Sequence, residues 1–306
     1  MNNSSNMDYP KLSLSHTTIE EHCTALLKEK TLPFWWYQGA HKLMGNYSLP
    51  FRDNVGNWWY QVKPGLAWPV NFFSRMKPGS FKLPLRKSYL GLQYLVDNGK
   101  SSNSRLHINS ILSLKKYGPQ SVDSKRRTKI RAGLRQCELG IMNEYDQETI
   151  HGCYEVWNDL NSRTGWKGAI TKKWFEETWR SYIGIPGNSI IIAREKESGQ
   201  VAGFHMLKIL GDTAYGDAVA SHSTYLKCRV NDAMIYTFLK SAGELLHVEK
   251  AHYGIKSYVT NLESFKRSMG FVADGFPART ALNPIAKAAL GILYPSAYRR
   301  MVGKFE

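Results

Sequence analysis

The chain has 306 residues, 42% of them hydrophobic, enough for real cores and too apolar for a disordered polypeptide. Lysine and arginine number 41 against 25 aspartates and glutamates, and the net charge of +16 favours an anionic partner such as RNA, a nucleotide or lipid phosphates. Cys23, Cys137, Cys153 and Cys228 lack zinc-ligand spacing, no run approaches the length of a membrane span, and the polar start lacks a signal-type apolar stretch. Free thiols, a cytoplasmic location and no metal or redox cofactor are therefore expected.

Residues 1–15 read as a loose polar arm, followed by a first helix over Ile19–Lys30 capped by Thr17 or Thr18. The next eighty residues are dense in aromatics, Pro and Gly, which suits strands and turns. Trp35–Tyr37 and Trp58–Tyr60 repeat the triplet WWY, with Trp68 nearby; the triplets fit either a pocket wall or core. Ser104–Leu112 reads as a strand, and a domain boundary is expected near Gly118–Val122.

Asp123–Ile141 reads as a basic helix with Asp123 or Ser124 as its cap. Ile130, Leu134, Cys137 and Ile141 recur at three- and four-residue steps and would face the core. Arg127, Arg131 and Arg135 recur at four-residue steps and form a cationic stripe suited to phosphates, or to a solvated face. Three strands follow, Ser189–Ala193, Val201–Leu207 and Thr213–Ala220. A helix over Asn231–Leu246, a strand over Ala251–Ile255 and a second helix closing at FKRSMGF complete this half. The tail, 279–306, is an amphipathic helix through Leu282, Ile285, Ala286, Ala289, Leu290 and Leu293, ended by Pro295 and followed by Arg299 and Arg300.

The runs SKRRTKIRAGLRQCE, RTGWKG, YLKCRVNDAMIY and FKRSMGF, with the strand order between them, resemble the FemAB-like branch of the GNAT acyltransferase superfamily over about residues 104–280. The resemblance implies an α/β (α+β) fold of tandem GNAT-like lobes with mixed, mostly antiparallel sheets, the first lobe degenerate. Its expected limits are 1–120 and 121–278, with the tail at 279–306. It also implies an N-acyltransferase, or aminoacyltransferase, that moves an activated acyl group onto an amine in cell-envelope or polysaccharide metabolism. The donor would be aminoacyl-tRNA or an acyl thioester, and the acceptor a nucleotide- or lipid-linked amine. One departure stands out: the usual glycine-rich pyrophosphate loop is replaced by Ser221–Asn231, which contains no glycine.

Acyl transfer to an amine needs a neutral nucleophile, a stabilised oxyanion and a charge partner for the leaving group. Lys266, by resemblance to the family's FK pair, supplies the last two, with Phe265 as the wall and anchor of its helix. Asp217 and His222 are candidates to take the amine proton. Lys227 and Arg229, just before a helix begun near Asn231, are candidates for donor phosphates. Two further readings stay open. One is a non-catalytic GNAT-derived module that binds RNA or phosphate through Arg127, Arg131 and Arg135. The other places the enzyme at a membrane surface through the basic tail.

Overall fold

The computed structural model describes residues 7–30, 49–165 and 170–303, so Trp35–Tyr37 lies outside the described residues. The first half contributes α1 (Ile19–Lys28), β1 (Phe51–Arg52), β2 (Trp58–Lys63), β3 (Leu66–Pro69), β4 (Gly91–Leu95) and β5 (Ser104–Ile111). The second contributes α2 (Ser124–Gln136), β6 (Cys137–Ile141), α3 (Gln147–Thr164), α4 (Lys172–Ile183), β7 (Asn188–Glu195), β8 (Val201–Leu210) and β9 (Thr213–Ser221). It continues with α5 (Val230–Gly243), β10 (Lys250–Ile255), α6 (Thr260–Ser268), β11 (Val272–Leu282), α7 (Pro284–Leu293) and α8 (Pro295–Val302).

All eleven strands join one mixed α/β sheet in the order β1-β2-β3-β4-β11-β5-β10-β9-β8-β7-β6. The strand senses are palindromic. From each edge a run of antiparallel strands ends on a parallel pair, β3 with β4 on one side and β9 with β10 on the other. The central strands β11 and β5 are antiparallel to each other and tie the two halves together. The first half is the smaller copy, its parallel pair held by only Leu66–Gly91 and Ala67–Leu92.

Helices α2 and α5 pack on one face of the second half through Ile130, Ala233 and Phe238, while α3 and α4 cover the other through Trp157, Phe175 and Trp179. Every residue of β8 is consequently buried, His205 and Lys208 among them. Close approach of α2 and α5 depends on Gly133, where a Cβ would stand 2.6 Å from the Arg229 carbonyl.

Three expectations change. The arm is docked: Met7, Leu12 and Leu14 join the core, and the Leu12 amide donates to Ser241 Oγ at 3.2 Å. The basic helix stops at Gln136, because Cys137–Ile141 pairs with β7 and buries alternate residues, a period of two that the three- and four-residue spacing concealed. Val272–Leu282 is one interior strand, and the expected limit at 278 falls within it. The apolar tail helix ends at Leu293, ahead of Pro295 as expected, and Pro295 then opens a second helix, because proline at the first helical position forfeits no hydrogen bond. Trp59 and Tyr60 are core, with Trp59 Nε1 donating to Asp53 at 3.0 Å. The four cysteines are free and buried, and no described helix is long and apolar enough to cross a membrane.

Candidate active site

The feature that sets this sheet apart is a wedge between β9 and β10. Their parallel register runs through Lys250–Thr213, Ala251–Ala214 and His252–Tyr215, and stops there. Beyond it, β9 continues on β8 and β10 continues on β5. Each strand bends because it carries an irregularity. Asp217 is the extra residue of a bulge, since Gly216 opposes Leu207 and Ala218 opposes Met206. On β10 the register slips between His252 and Ile255, around Gly254 at φ 78°. A bulge bends its strand and leaves backbone unpaired, so two bulges facing one another pull the pair apart toward their C-terminal ends.

Tyr253 fills the wedge. A Cβ at Gly216 would collide with its ring and stand 3.2 Å from His205 Nε2. The Tyr253 ring stacks on Phe271 with centroids 5.1 Å apart and meets His205 edge-on at 6.0 Å. His205 is fully buried with neither ring nitrogen hydrogen bonded, and burial pulls its pKa down to about 3. A buried imidazole without partners is costly, and here it lies directly beneath the divergence of the strands.

Lys266 reaches the same place from α6. It is 5% exposed, and its Nζ lies 5.8 Å from the centroid of the Tyr253 ring. Glu263, one turn earlier, accepts from Lys266 Nζ at 3.2 Å, from the Ser257 amide at 2.9 Å and from Asn109 Nδ2 at 3.3 Å. Burial pulls the Lys266 ammonium below the usual lysine range, and Glu263 pulls it back. The neighbouring Phe265 packs against the core below α2, with the Arg126 guanidinium 4.8 Å from its ring centroid. Arg126 in turn pairs with Asp232 in the first turn of α5. Phe265 therefore anchors α6, and its ring is taken up by Arg126.

Asp217 sits on the opposite face of the sheet, towards α4. Its carboxylate holds Lys208 Nζ at 2.5 and 2.6 Å and accepts from the Tyr182 hydroxyl at 3.3 Å, with both charged side chains 4% exposed. Burial raises Asp217 and lowers Lys208, and the charge of each partner opposes that shift. The expectation that Asp217 takes a substrate proton does not fit this placement; the pair instead fixes the bulge. His222 ends β9, about 20 Å along the strand from Gly216. Its Nδ1 accepts from the Thr224 amide at 3.3 Å, which makes it the cap of the 3-10 turn Ser223–Cys228. That role accounts for His222 without proton transfer.

The expected phosphate group divides. Lys227 and Arg229 are exposed on the turn that leads from β9 into α5. Asn231 is not the cap. Arg229, at φ 58° and without a side-chain capping bond, precedes the helix, and Asn231 lies within its first turn. Along α2 the stripe is not a uniform cationic face. Arg127 spends its guanidinium on the carbonyls of Pro119 and Val122 at 3.0 and 2.7 Å, Arg131 is half-buried, and Arg135 is exposed. Among the described residues no cluster of His, Cys, Asp and Glu could hold a metal.

Tyr253, His205 and Glu263 were not singled out from the sequence. Gly216 could have pointed to them, because an isolated glycine inside the strand pattern TAYGDAVA marks a bulge or a close approach. The assembled parts suit one kind of chemistry. Diverging strands offer main-chain partners to an extended acyl arm, and a buried ammonium sits beside the place where such an arm would end.

No protein-family model matches the sequence, and no curated protein matches it. Solved structures do. FemX is 13% identical with a TM-score of 0.57, over 92% of this chain and 100% of that one. L-PGS from Bacillus licheniformis is 14% identical with a TM-score of 0.56, over 95% and 98%. The C-terminal domain of a putative lysylphosphatidylglycerol synthetase from Agrobacterium fabrum is 10% identical with a TM-score of 0.50, over 94% and 98%. Over nearly its whole length the chain shares its fold with FemX and L-PGS.

Proposed function

We propose that this chain, which carries the FemAB-like acyltransferase fold, transfers an activated acyl or aminoacyl group to an amine of a cell-envelope or polysaccharide precursor. The observation that carries the reading is the wedge opened by facing bulges in β9 and β10, with the Lys266 ammonium beside its filling ring. The acyl arm of the donor would lie along the unpaired edges of the two strands. The amine lone pair forms the new C–N bond at the carbonyl carbon, and the C–O or C–S bond to the carrier breaks. The carrier leaves with the bonding pair, and the proton lost by the amine passes to solvent. Lys266 stabilises the tetrahedral oxyanion and the departing charge, and Glu263 holds its Nζ in position. Where the donor brings phosphates, the exposed Lys227 and Arg229 on the turn into α5 are the cations to meet them.

The same region supports one donor class over the other. With no glycine in Ser221–Asn231 and a 3-10 turn over Ser223–Cys228, the backbone cradle that coenzyme A finds in ordinary GNAT enzymes is missing from this loop, which favours aminoacyl-tRNA as carrier. The test is amide formation, followed by mass spectrometry, from total aminoacyl-tRNA and from a set of acyl-CoA thioesters with a panel of amine-bearing nucleotide sugars and lipids. The reading expects product from charged tRNA. It also expects a loss on the order of 10²-fold in Lys266→Met, with the fold retained by circular dichroism. No product from any donor, or equal rates in wild type and Lys266→Met, would overturn it.

A further inference from the structure

Two segments distant in sequence meet at one end of the molecule, and both are free of acidic residues. Residues 75–96 contain five Lys or Arg and residues 275–303 contain four, with no Asp or Glu in either. They are joined by the register of β4 with β11 and by Asn283, whose amide donates to the Leu90 carbonyl at 3.0 Å and whose Nδ2 donates to Tyr89 O at 2.6 Å. Asn283 also caps α7, accepting from the Ala286 amide at 2.6 Å. Helix α7 is thereby fixed beside the helical turn Leu85–Ser88.

This end of the molecule inverts the usual order of burial. Only Ala286 of α7 is buried, while Ile285 is 82% exposed, Ile292 77%, Leu293 67% and Tyr294 62%. Leu85, on the adjoining turn, is 79% exposed. A folded chain rarely leaves so many large apolar side chains this open in one stretch unless another phase covers them. Exposed Lys82, Arg86, Lys287 and Arg300 belong to the same two segments. Apolar tips accompanied by cations, without a carboxylate in either segment, form the pattern of a helix lying in the headgroup zone of an anionic bilayer. Helix α7, about 15 Å long, would lie flat with its exposed residues dipped into the acyl boundary. Charge decides between occupants: a second copy of this +16 chain would bring its own cations to the face, whereas anionic lipid complements them.

We infer that α7 and the Leu85–Ser88 turn form a docking surface for anionic phospholipid membranes. This stands on exposure and charge alone and does not depend on the acyl-transfer reading. The experiment is flotation of the full chain with vesicles of phosphatidylcholine, pure or with about one-third phosphatidylglycerol, at roughly 0.1 M salt. The chain should float only with the anionic vesicles. Ile292→Asp combined with Leu293→Asp should lower the partition coefficient by about tenfold or more. Arg86→Ser and Lys287→Ser should each lower it by about fivefold, and Arg135→Ser, on α2, should leave it unchanged. All the substituted side chains are exposed, so melting temperatures should be retained. Absence of flotation, or equal flotation of wild type and the Ile292/Leu293 variant, overturns the inference. So does a concentration-dependent dimer, by light scattering, that this variant abolishes, because that result assigns the face to a second copy.

Discussion

Three histidines report on how much of this molecule's stability is tied to buried polar groups. His205 and His252 are pulled down to about 3 and His22 to about 4, in each case chiefly by burial. In the unfolded chain all three return to the ordinary value of 6.5. Below that pH the unfolded state binds protons that the folded state refuses, so stability falls with acid from about pH 6.5 toward 4. Each refused proton is worth about 1.4 kcal/mol per pH unit within the window. Urea unfolding of wild type between pH 7 and 5 should show this slope, and His205→Leu should flatten it by about one proton. A parallel acid limb in the variant would mean that His205 accepts its proton within the fold. None of this burial could be read from residue type. A histidine in a run such as VAGFHML fits a satisfied core position, and only the register of β8 against β9 shows it beneath a gap without partners.

Between elements, the wedge is set by three residues, Gly216, Tyr253 and Phe271. Gly216 has no Cβ, so Tyr253 lies across β9 and stacks on Phe271. Gly216→Ala should therefore push the Tyr253 ring out of its place and cost about 1–3 kcal/mol. Tyr253→Ala removes the obstruction, so the double variant should lose less than the sum of the single losses. Chemical denaturation of the four proteins measures the coupling, and simple additivity would show that the ring does not fill the wedge as described. The strands on either side were legible, because SIIIA, VAGFHML and TAYGDAVA alternate or run apolar between turn residues. That Thr213–Ala220 and Ala251–Ile255 part is what the family resemblance implies, and within the sequence itself Gly216 marks the place. The basic helix was over-extended for a related reason: CELGI satisfies a helical spacing and a strand spacing together, and pairing with β7 decides between them.

Across the whole molecule, the second half could be ordered from sequence because its elements are local neighbours. The strand that joins the halves could not. β11 crosses back between β4 and β5, a contact separated by more than 160 residues, and nothing in VADGFPARTAL announces that partner. Lys266 was chosen through its motif and lies buried beside Tyr253, while Asp217 and His222 were chosen for chemistry alone and lie in a buried ion pair and a turn cap. What the palindromic sheet accomplishes is to hold one wide wedge open in the second half while its counterpart, β3 with β4, stays short. If that wedge receives the acyl arm, donor binding must protect its edges. Hydrogen exchange, resolved by residue, with and without aminoacyl-tRNA, measures this directly. The account predicts slowed exchange at the amides of 216–220 and 253–255, with little change along α2. Protection confined to α2, or none at β9 and β10 under saturating donor, would contradict it.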